Sequence, residues 1–303
     1  MKKLSYIKKN IIVKLAFLAC FVATFISCNS VPDNGSTIVH PVDLLDNKSS
    51  LYVAVPKSVD PELLKLILAS NISGASSGDI NQIFSRISTI YAGIGKNMSA
   101  NDIQAAIDSN IPLSFIPNIL SEKNGWESVE YTPESGNRKY TVYSYDGLNL
   151  AFPSGNITCI GRNLPEMLEY YDYEHFVPSE EAIGFSFNQI DKLNYEWLKS
   201  AEKEIKFYTS YTTEYLAQFI GFPINLNLND IRGAVVPDSK NDKNYLATFY
   251  LDFKNLTSFK AGKLVLSFAL GSENLYYDAN YPNTIIIKNM VINKNQIYNL
   301  FIK

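Results

Sequence analysis

Residues 140–160 read YTVYSYDGLNLAFPSGNITCI. Aromatic and β-branched residues recur in short runs, which are separated by Asp146-Gly147 and by Ser154-Gly155-Asn156. Turn residues of this kind between β-forming runs are typical of β-hairpins. The stretch therefore predicts three antiparallel strands in succession and places an antiparallel sheet at the centre of the fold.

The segments around this stretch mix helices with further strands. Leu51–Val55 is a short apolar run that predicts a buried strand, and Asp60-Pro61-Glu62 provides a cap, a first-turn proline and an acid for a helix. Ser99–Asp102 predicts the start of a helix that ends near Ser109, and Leu264–Leu270 predicts a strand. The order of elements indicates an α+β fold in which antiparallel sheets pack with helices.

The element order also suggests an internal duplication. Leu51 and Ile183 each open a strand that leads into a helix, and Ile160 and Ile292 each end a short strand before a helix, with 132 positions between the members of each pair. This spacing predicts two topologically similar halves, residues 51–178 and 179–303. The alternative is one irregular α+β domain.

The N-terminus has the pattern of an export signal. Residues 1–14 carry five lysines and no acid, and an uncharged apolar run follows from Leu15 to Ile26. A run of twelve residues is short for a bilayer-spanning helix and has the length of a secretory hydrophobic region. It ends in Phe25-Ile26-Ser27-Cys28.

A cysteine directly after such a run, preceded by a small residue, resembles the lipobox of bacterial lipoprotein precursors. The resemblance covers residues 1–28, and Phe25 departs from the leucine that is usual three positions before the cysteine. It implies cleavage between Ser27 and Cys28 and a diacylglyceryl group on the sulfur of Cys28. The alternatives are a plain secretory signal with an incidental cysteine and an uncleaved anchor.

The lipoprotein interpretation predicts the layout of the mature chain. Residues 1–27 are the signal peptide, and residues 28–50, rich in Ser, Asn, Asp, Pro and Gly, are a flexible tether. The folded part then lies in the cell envelope outside the cytoplasm, held by lipid at the outer membrane or cell surface rather than at the inner membrane. Cys20 leaves with the signal peptide, so Cys159 is the single unmodified thiol, and we expect it to be buried.

Charge and motifs exclude several functional classes. Five of the 27 basic residues lie in the first 27 positions, so removal of that stretch takes the formal net charge from −3 to −8. This balance argues against nucleic acid as a partner. The sequence has no dinucleotide or P-loop motif and no metal-ligand spacing, so no cofactor and no metal site is predicted.

One motif raises the question of catalysis. Gly74-Ala75-Ser76-Ser77-Gly78 matches the G-x-S-x-G pattern of serine hydrolases, and His175 follows it in the order that such a triad requires. That pattern needs a strand before the serine, whereas a helix is predicted there, so a Ser/Gly-rich loop is the better interpretation. No catalytic residue is assigned.

Tyrosine is the unusual component, with 20 residues in the chain. Two clusters, residues 170–176 and 276–281, mix tyrosine with polar groups and could bind a protein or a glycan; the alternative is that they cover strand edges and helix ends. The sequence thus predicts a lipid-anchored envelope protein that binds or organises a partner and is not an enzyme. The alternative is an envelope hydrolase with an unidentified site.

Overall fold

The computed structural model describes residues 39–71, 77–96, 102–134, 136, 138–176, 189–213, 215–216, 225–279 and 281–298. Twelve strands form one sheet in which every neighbouring pair is antiparallel. The strands are β1 Leu51–Pro56, β2 Ile87–Ile94, β3 Ile103–Ser109, β4 Glu127–Tyr131, β5 Tyr140–Tyr145, β6 Leu148–Ser154, β7 Ile157–Gly161, β8 Ile205–Thr209, β9 Leu228–Pro237, β10 Asn244–Phe253, β11 Leu275–Tyr277 and β12 Thr284–Asn293.

Helices lie between these strands along the chain. The α-helices of the described ranges are α1 Pro61–Asn71, α2 Ser77–Arg86, α3 Ile116–Ile119, α4 Leu164–Phe176, α5 Lys192–Lys199, α6 Leu256–Leu270 and α7 Lys294–Tyr298, and the 3-10 helices are Pro41–Leu44, Leu113–Phe115, Glu122–Asn124 and Ser272–Asn274. The predicted α+β class with antiparallel strands is confirmed.

The spatial order of the sheet is β11-β12-β10-β9-β8-β1-β2-β3-β7-β6-β5-β4. The strand β1 lies near its middle and is buried at all six positions. Leu51 and Val53 of β1 face one core, on the side called face A here, whereas Tyr52 and Ala54 face a second core on face B. A strand covered on both faces needs a continuous apolar run, which explains its sequence.

Helices cover both faces of the sheet. The face A core includes apolar side chains of α1, α2, α6 and α7, and the face B core includes those of α4, α5 and the 3-10 helix Pro41–Leu44. A third, smaller cluster around Trp126 lies at the β4–β6 end. The protein is therefore a central sheet between two helical layers.

One predicted helix is a strand. The segment predicted to form a helix up to Ser109 is β3, which pairs with β2 and β7. Ala105 faces the face A core and Ala106 the face B core, and Gln104 is fully buried, with its Nε2 donating to Asp46 Oδ1 over 2.7 Å. Alanine and glutamine favour helices by themselves, but partners on both sides override that preference.

One predicted strand is a helix. Leu264–Leu270, predicted as a strand, forms the last two turns of α6. A short apolar run has the same composition in a buried strand and in an apolar helix, so periodicity alone does not separate the two.

The folded part begins earlier than predicted. Residues 39–50, assigned to the tether by sequence, pack on face B, where Val42, Leu44 and Leu45 are fully buried. His40 caps the 3-10 helix by accepting the Val42 amide on its Nδ1, and burial lowers its pKa. Asp46 accepts from Arg162 Nη2 at 3.1 Å, which ties this segment to the residue that follows β7.

The two predicted halves contribute adjacent parts of the same sheet. Residues 51–161 supply the seven strands β1 to β7, and residues 205–293 supply the five strands β8 to β12. The two parts meet where β1 pairs with β8. The segment predicted as the first strand of the second half lies outside the described residues, so the duplication stays a prediction.

Candidate functional site

The helix α6 has clear local signals at both ends. Asn255 precedes it in an extended conformation and its side chain accepts the Ser258 amide at 2.9 Å, which satisfies one of the free donors of the first turn. Gly271 follows it with φ of 82°, a backbone conformation that glycine adopts without strain, and its amide donates to the Ser267 carbonyl. Caps at both ends fix the helix despite its strand-like apolar run.

The inner side of α6 sits closely on face A. Gly262 and Leu266 are its buried residues, and the ring of Phe253 on β10 lies directly beneath Gly262. A β-carbon at position 262 would come within 2.1 Å of that ring. Phe259 packs edge-to-face on Phe253 with 5.9 Å between the ring centroids. The glycine thus lets α6 pack closely on β10.

The outer side of α6 is apolar as well. Phe268 is 84% exposed, Leu264 60%, Leu256 54% and Val265 42%. These four residues are called the α6 surface here. An ordinary surface helix places polar residues on its outer side, so large exposed apolar residues on this helix indicate contact with another phase or partner.

The charged residues of α6 itself are both positive. The helix contains Lys260 and Lys263 and no acidic residue. The Nζ of Lys263 lies 4.6 Å from the ring centroid of Tyr277, a 46% exposed residue of β11. Lysines and tyrosines combine an apolar body with a polar tip, so both suit a boundary between lipid and water. Exposed apolar side chains beside two lysines give this helix a contact surface that is both apolar and cationic.

The two tyrosine clusters differ in environment. In the first, Tyr171 is buried and packs edge-to-face on Tyr140, and the ring of His175 stacks on Tyr171 with centroids 5.1 Å apart. That cluster supports the core. In the second, Tyr276, Tyr277 and Tyr281 are 40–46% exposed. The second cluster is therefore the more exposed of the two.

The other residues that the sequence singles out are in part beyond the described ranges. Ser27, Cys28 and Ser76 lie outside the described residues. Cys159 is buried, as predicted, and burial raises the pKa of its thiol. The described part of the chain holds no group of three His, Cys, Asp or Glu side chains that could bind a metal ion, and none of its helices is both long and apolar enough to cross a membrane.

Most of the chain matches one known protein family. The family model described as "Outer membrane-associated lipoprotein TP0453" matches residues 36–298, which is most of the chain. The chain belongs to the TP0453 family. The match begins close to the first residues of the folded part, so it covers the sheet, both helical layers and α6.

Solved structures of TP0453 share the fold. Crystal form I is 17% identical, with a TM-score of 0.62 over 87% of this chain and 97% of that chain. Crystal form III is 17% identical and gives a TM-score of 0.59 over 87% and 98% of the two chains, and crystal form IV is 16% identical and gives 0.59 over 88% and 98%. No curated protein matches the chain.

Membership in the TP0453 family confirms three predictions. The chain is a bacterial lipoprotein, it is an α+β protein, and it resides in the cell envelope in association with the outer membrane. The resemblance of residues 1–28 to a lipobox precursor had indicated both the lipoprotein class and the location at a membrane of the envelope. The α6 surface was missed by sequence reasoning, although the absence of acids and the high apolar content of residues 256–270 were visible in the sequence.

Proposed function

We propose that this TP0453-family protein is a non-enzymatic module held at a membrane by two contacts. The first is an acyl group on the sulfur of Cys28 after cleavage behind Ser27. The second is the α6 surface, which lies in the headgroup region of the lipid. The observation that carries the second contact is the 84% exposure of Phe268 on a helix without acids.

Two contacts serve different purposes. Lipid chains hold the protein at the bilayer, with about 0.8 kcal/mol contributed by each buried methylene. A tether leaves the orientation of the folded part free, whereas a helix that lies in the interface sets which side of the sheet faces the lipid. Lys260 and Lys263 border the α6 surface and would each add about 1 kcal/mol next to anionic headgroups.

The lipid contact is tested by metabolic labelling with a radioactive fatty acid. The wild-type chain and Cys159→Ala should incorporate label equally, because Cys159 is buried and not part of the lipobox. Cys28→Ala should incorporate none and should accumulate as the uncleaved precursor. Equal labelling of Cys28→Ala and Cys159→Ala would refute lipidation at Cys28.

The orientation is tested on the lipidated protein in vesicles. A single environment-sensitive probe at position 264, on the α6 surface, should report an apolar surrounding, whereas the same probe at Leu113, which is 50% exposed and lies near the opposite end of the sheet, should report water. Identical spectra from the two positions would contradict contact between α6 and lipid.

A further inference from the structure

The two edges of the sheet differ in how far they are protected against a further strand. At one edge, β11 has only three residues. Next to it, the register of β12 with β10 shifts at a bulge, and Asn289 has a φ of 55°. Short edge strands and bulges are features by which proteins discourage pairing between edges. The β11 edge is therefore a poor template for another strand.

The edge formed by β4 has neither of these features. Its sequence, ESVEY, contains no proline and no glycine, and it pairs residue for residue with β5 without a register shift. In the part of the chain that the structure describes, β4 has a neighbouring strand on one side only, and no hydrogen bond joins its outward backbone groups to another described residue. A regular strand with free backbone groups along one side is a template on which another strand can form.

The side chains of β4 are accessible as well. Its first four residues are exposed, and the central one, Val129, is 65% exposed although it lies opposite Val142 on face B. Only Tyr131, whose hydroxyl donates to Glu169 at 2.8 Å, is held against α4. Cross-strand contacts between β-branched side chains stabilise a sheet, so a valine in this position leaves apolar area for a further strand to cover.

The sequence of β4 is complementary to itself. Two identical strands that pair antiparallel are related by a two-fold axis, and residues directly opposite lie on the same face. A register centred on Val129 places Val129 opposite its own copy, Ser128 opposite Glu130, and Glu127 opposite Tyr131. A register centred on Glu130 would set two carboxylates directly against each other, which is destabilising. The pattern therefore favours the register centred on Val129.

The acidic side chains of β4 do not prevent this register. Lys139 Nζ lies 2.8 Å from Glu130 Oε2, so a cation of the same chain already accompanies that carboxylate. A carboxylate has several acceptor positions, so Glu130 can also accept from the Ser128 hydroxyl of a second copy. Glu127 meets a tyrosine ring and no second carboxylate directly opposite. Each acid of the strand thus has a compatible residue across the axis.

We propose that β4 is a dimerisation edge, on which β4 of a second copy of this chain pairs antiparallel in the register centred on Val129. Five residues from each copy bury less area than a standard interface, so the dimer is weak between freely diffusing chains. Attachment of both copies to one bilayer raises their effective concentration and favours pairing there. The β4 edge lies at the opposite end of the strand order from β11, so the pairing does not depend on contact between α6 and lipid.

The experiment is electron paramagnetic resonance of the full lipidated protein at low density in phosphatidylcholine vesicles. Each sample carries a nitroxide on one introduced cysteine, and the unsubstituted protein, in which Cys159 is buried, provides the blank. In the proposed dimer the two Cα atoms of position 129 are about 5 Å apart, and those of position 127 are about 14 Å apart along the strands. Val129→Cys should therefore show strong dipolar broadening and Glu127→Cys weaker broadening. Val291→Cys, at a 59% exposed position of β12, should show none.

Matched charge variants test the register on the Val129→Cys background. Ser128→Lys places a cation opposite Glu130 on both sides of the axis and should raise the association constant about tenfold, whereas Ser128→Glu should lower it by a similar factor. Ser272→Lys makes the same change of charge at an exposed residue next to the β11 edge and should behave like its parent. All three positions are exposed, so the fold should be retained.

Three results would overturn the proposal. They are the absence of broadening from labels at position 129, equally strong broadening from labels at position 127, and an equal effect of Ser128→Lys and Ser272→Lys on the association constant. The first result would leave the β4 edge to a different occupant, such as an extended peptide of another protein. The second and third would show that copies meet at the membrane without the proposed pairing of strands.

Discussion

Replacement of Phe268 by serine isolates the contribution of the α6 surface to membrane contact. Full burial of a phenylalanine side chain in an apolar phase contributes about 1.5–3 kcal/mol. Because 84% of Phe268 is exposed in water, its transfer to lipid should contribute about 2 kcal/mol, which corresponds to an approximately thirtyfold change in a partition coefficient. The same exposure means that folding stability should change by no more than about 0.5 kcal/mol.

The assay is flotation with phosphatidylglycerol–phosphatidylcholine vesicles. The parent is a chain that starts at residue 28 and carries Cys28→Ala, so that no acyl group contributes. Val129→Ser is the control, because Val129 is 65% exposed on β4 at the opposite edge of the sheet. Phe268→Ser should lower the partition coefficient into the vesicles about thirtyfold, and Val129→Ser should leave it unchanged. If Phe268→Ser floats like the parent while its urea midpoint is also unchanged, the α6 surface does not contact lipid.

Further predictions concern stability and reactivity. Burial alone would raise the pKa of Asp60, but hydrogen bonds, foremost from the Tyr245 hydroxyl, hold that pKa below its ordinary value. The stabilisation is therefore present above about pH 4 and is lost as the pH falls through the folded-state pKa. Tyr245→Phe should lower the urea-derived free energy of unfolding by about 1.5–3 kcal/mol at pH 7. When the pH is lowered, the variant should lose less stability than the wild type does. An acid profile identical to that of the wild type would contradict the assignment. Gly262→Val should cost about 1–3 kcal/mol by displacing α6 from Phe253, and an unchanged thermal midpoint would argue against the close contact. Cys159 should react with a thiol reagent only after unfolding, because its thiol is buried and its pKa is raised; rapid labelling of the folded protein would count against this.

Elements that neighbouring residues specify were predicted correctly from the sequence, whereas elements that depend on residues distant along the chain were not. The hairpins of residues 140–160 were predicted correctly because their turns are specified by contiguous residues such as Asp146-Gly147, and Asp146 does adopt a positive φ there. The strand β3 was missed because the extended backbone of Gln104 and its alanine neighbours is set by contacts with Asp46 and with the strands on both sides.

The α6 helix was missed for a related reason. Leu264–Leu270 has the composition of a buried strand because its outer side is apolar, and apolar outer residues are expected only where a helix meets something other than water. The feature that misled the secondary-structure prediction is the same feature that identifies the candidate membrane contact.

The sequence by itself determined the class of the protein, its envelope location and the antiparallel hairpins, because each of these depends on a short contiguous pattern. The tertiary structure alone decided that β1 is buried on both faces, that α6 packs with Gly262 against Phe253 and leaves Phe268 exposed, and that Arg232 meets Tyr281. These arrangements bring together residues that are distant along the chain, and the register of twelve paired strands, not local propensity, sets which of them become neighbours.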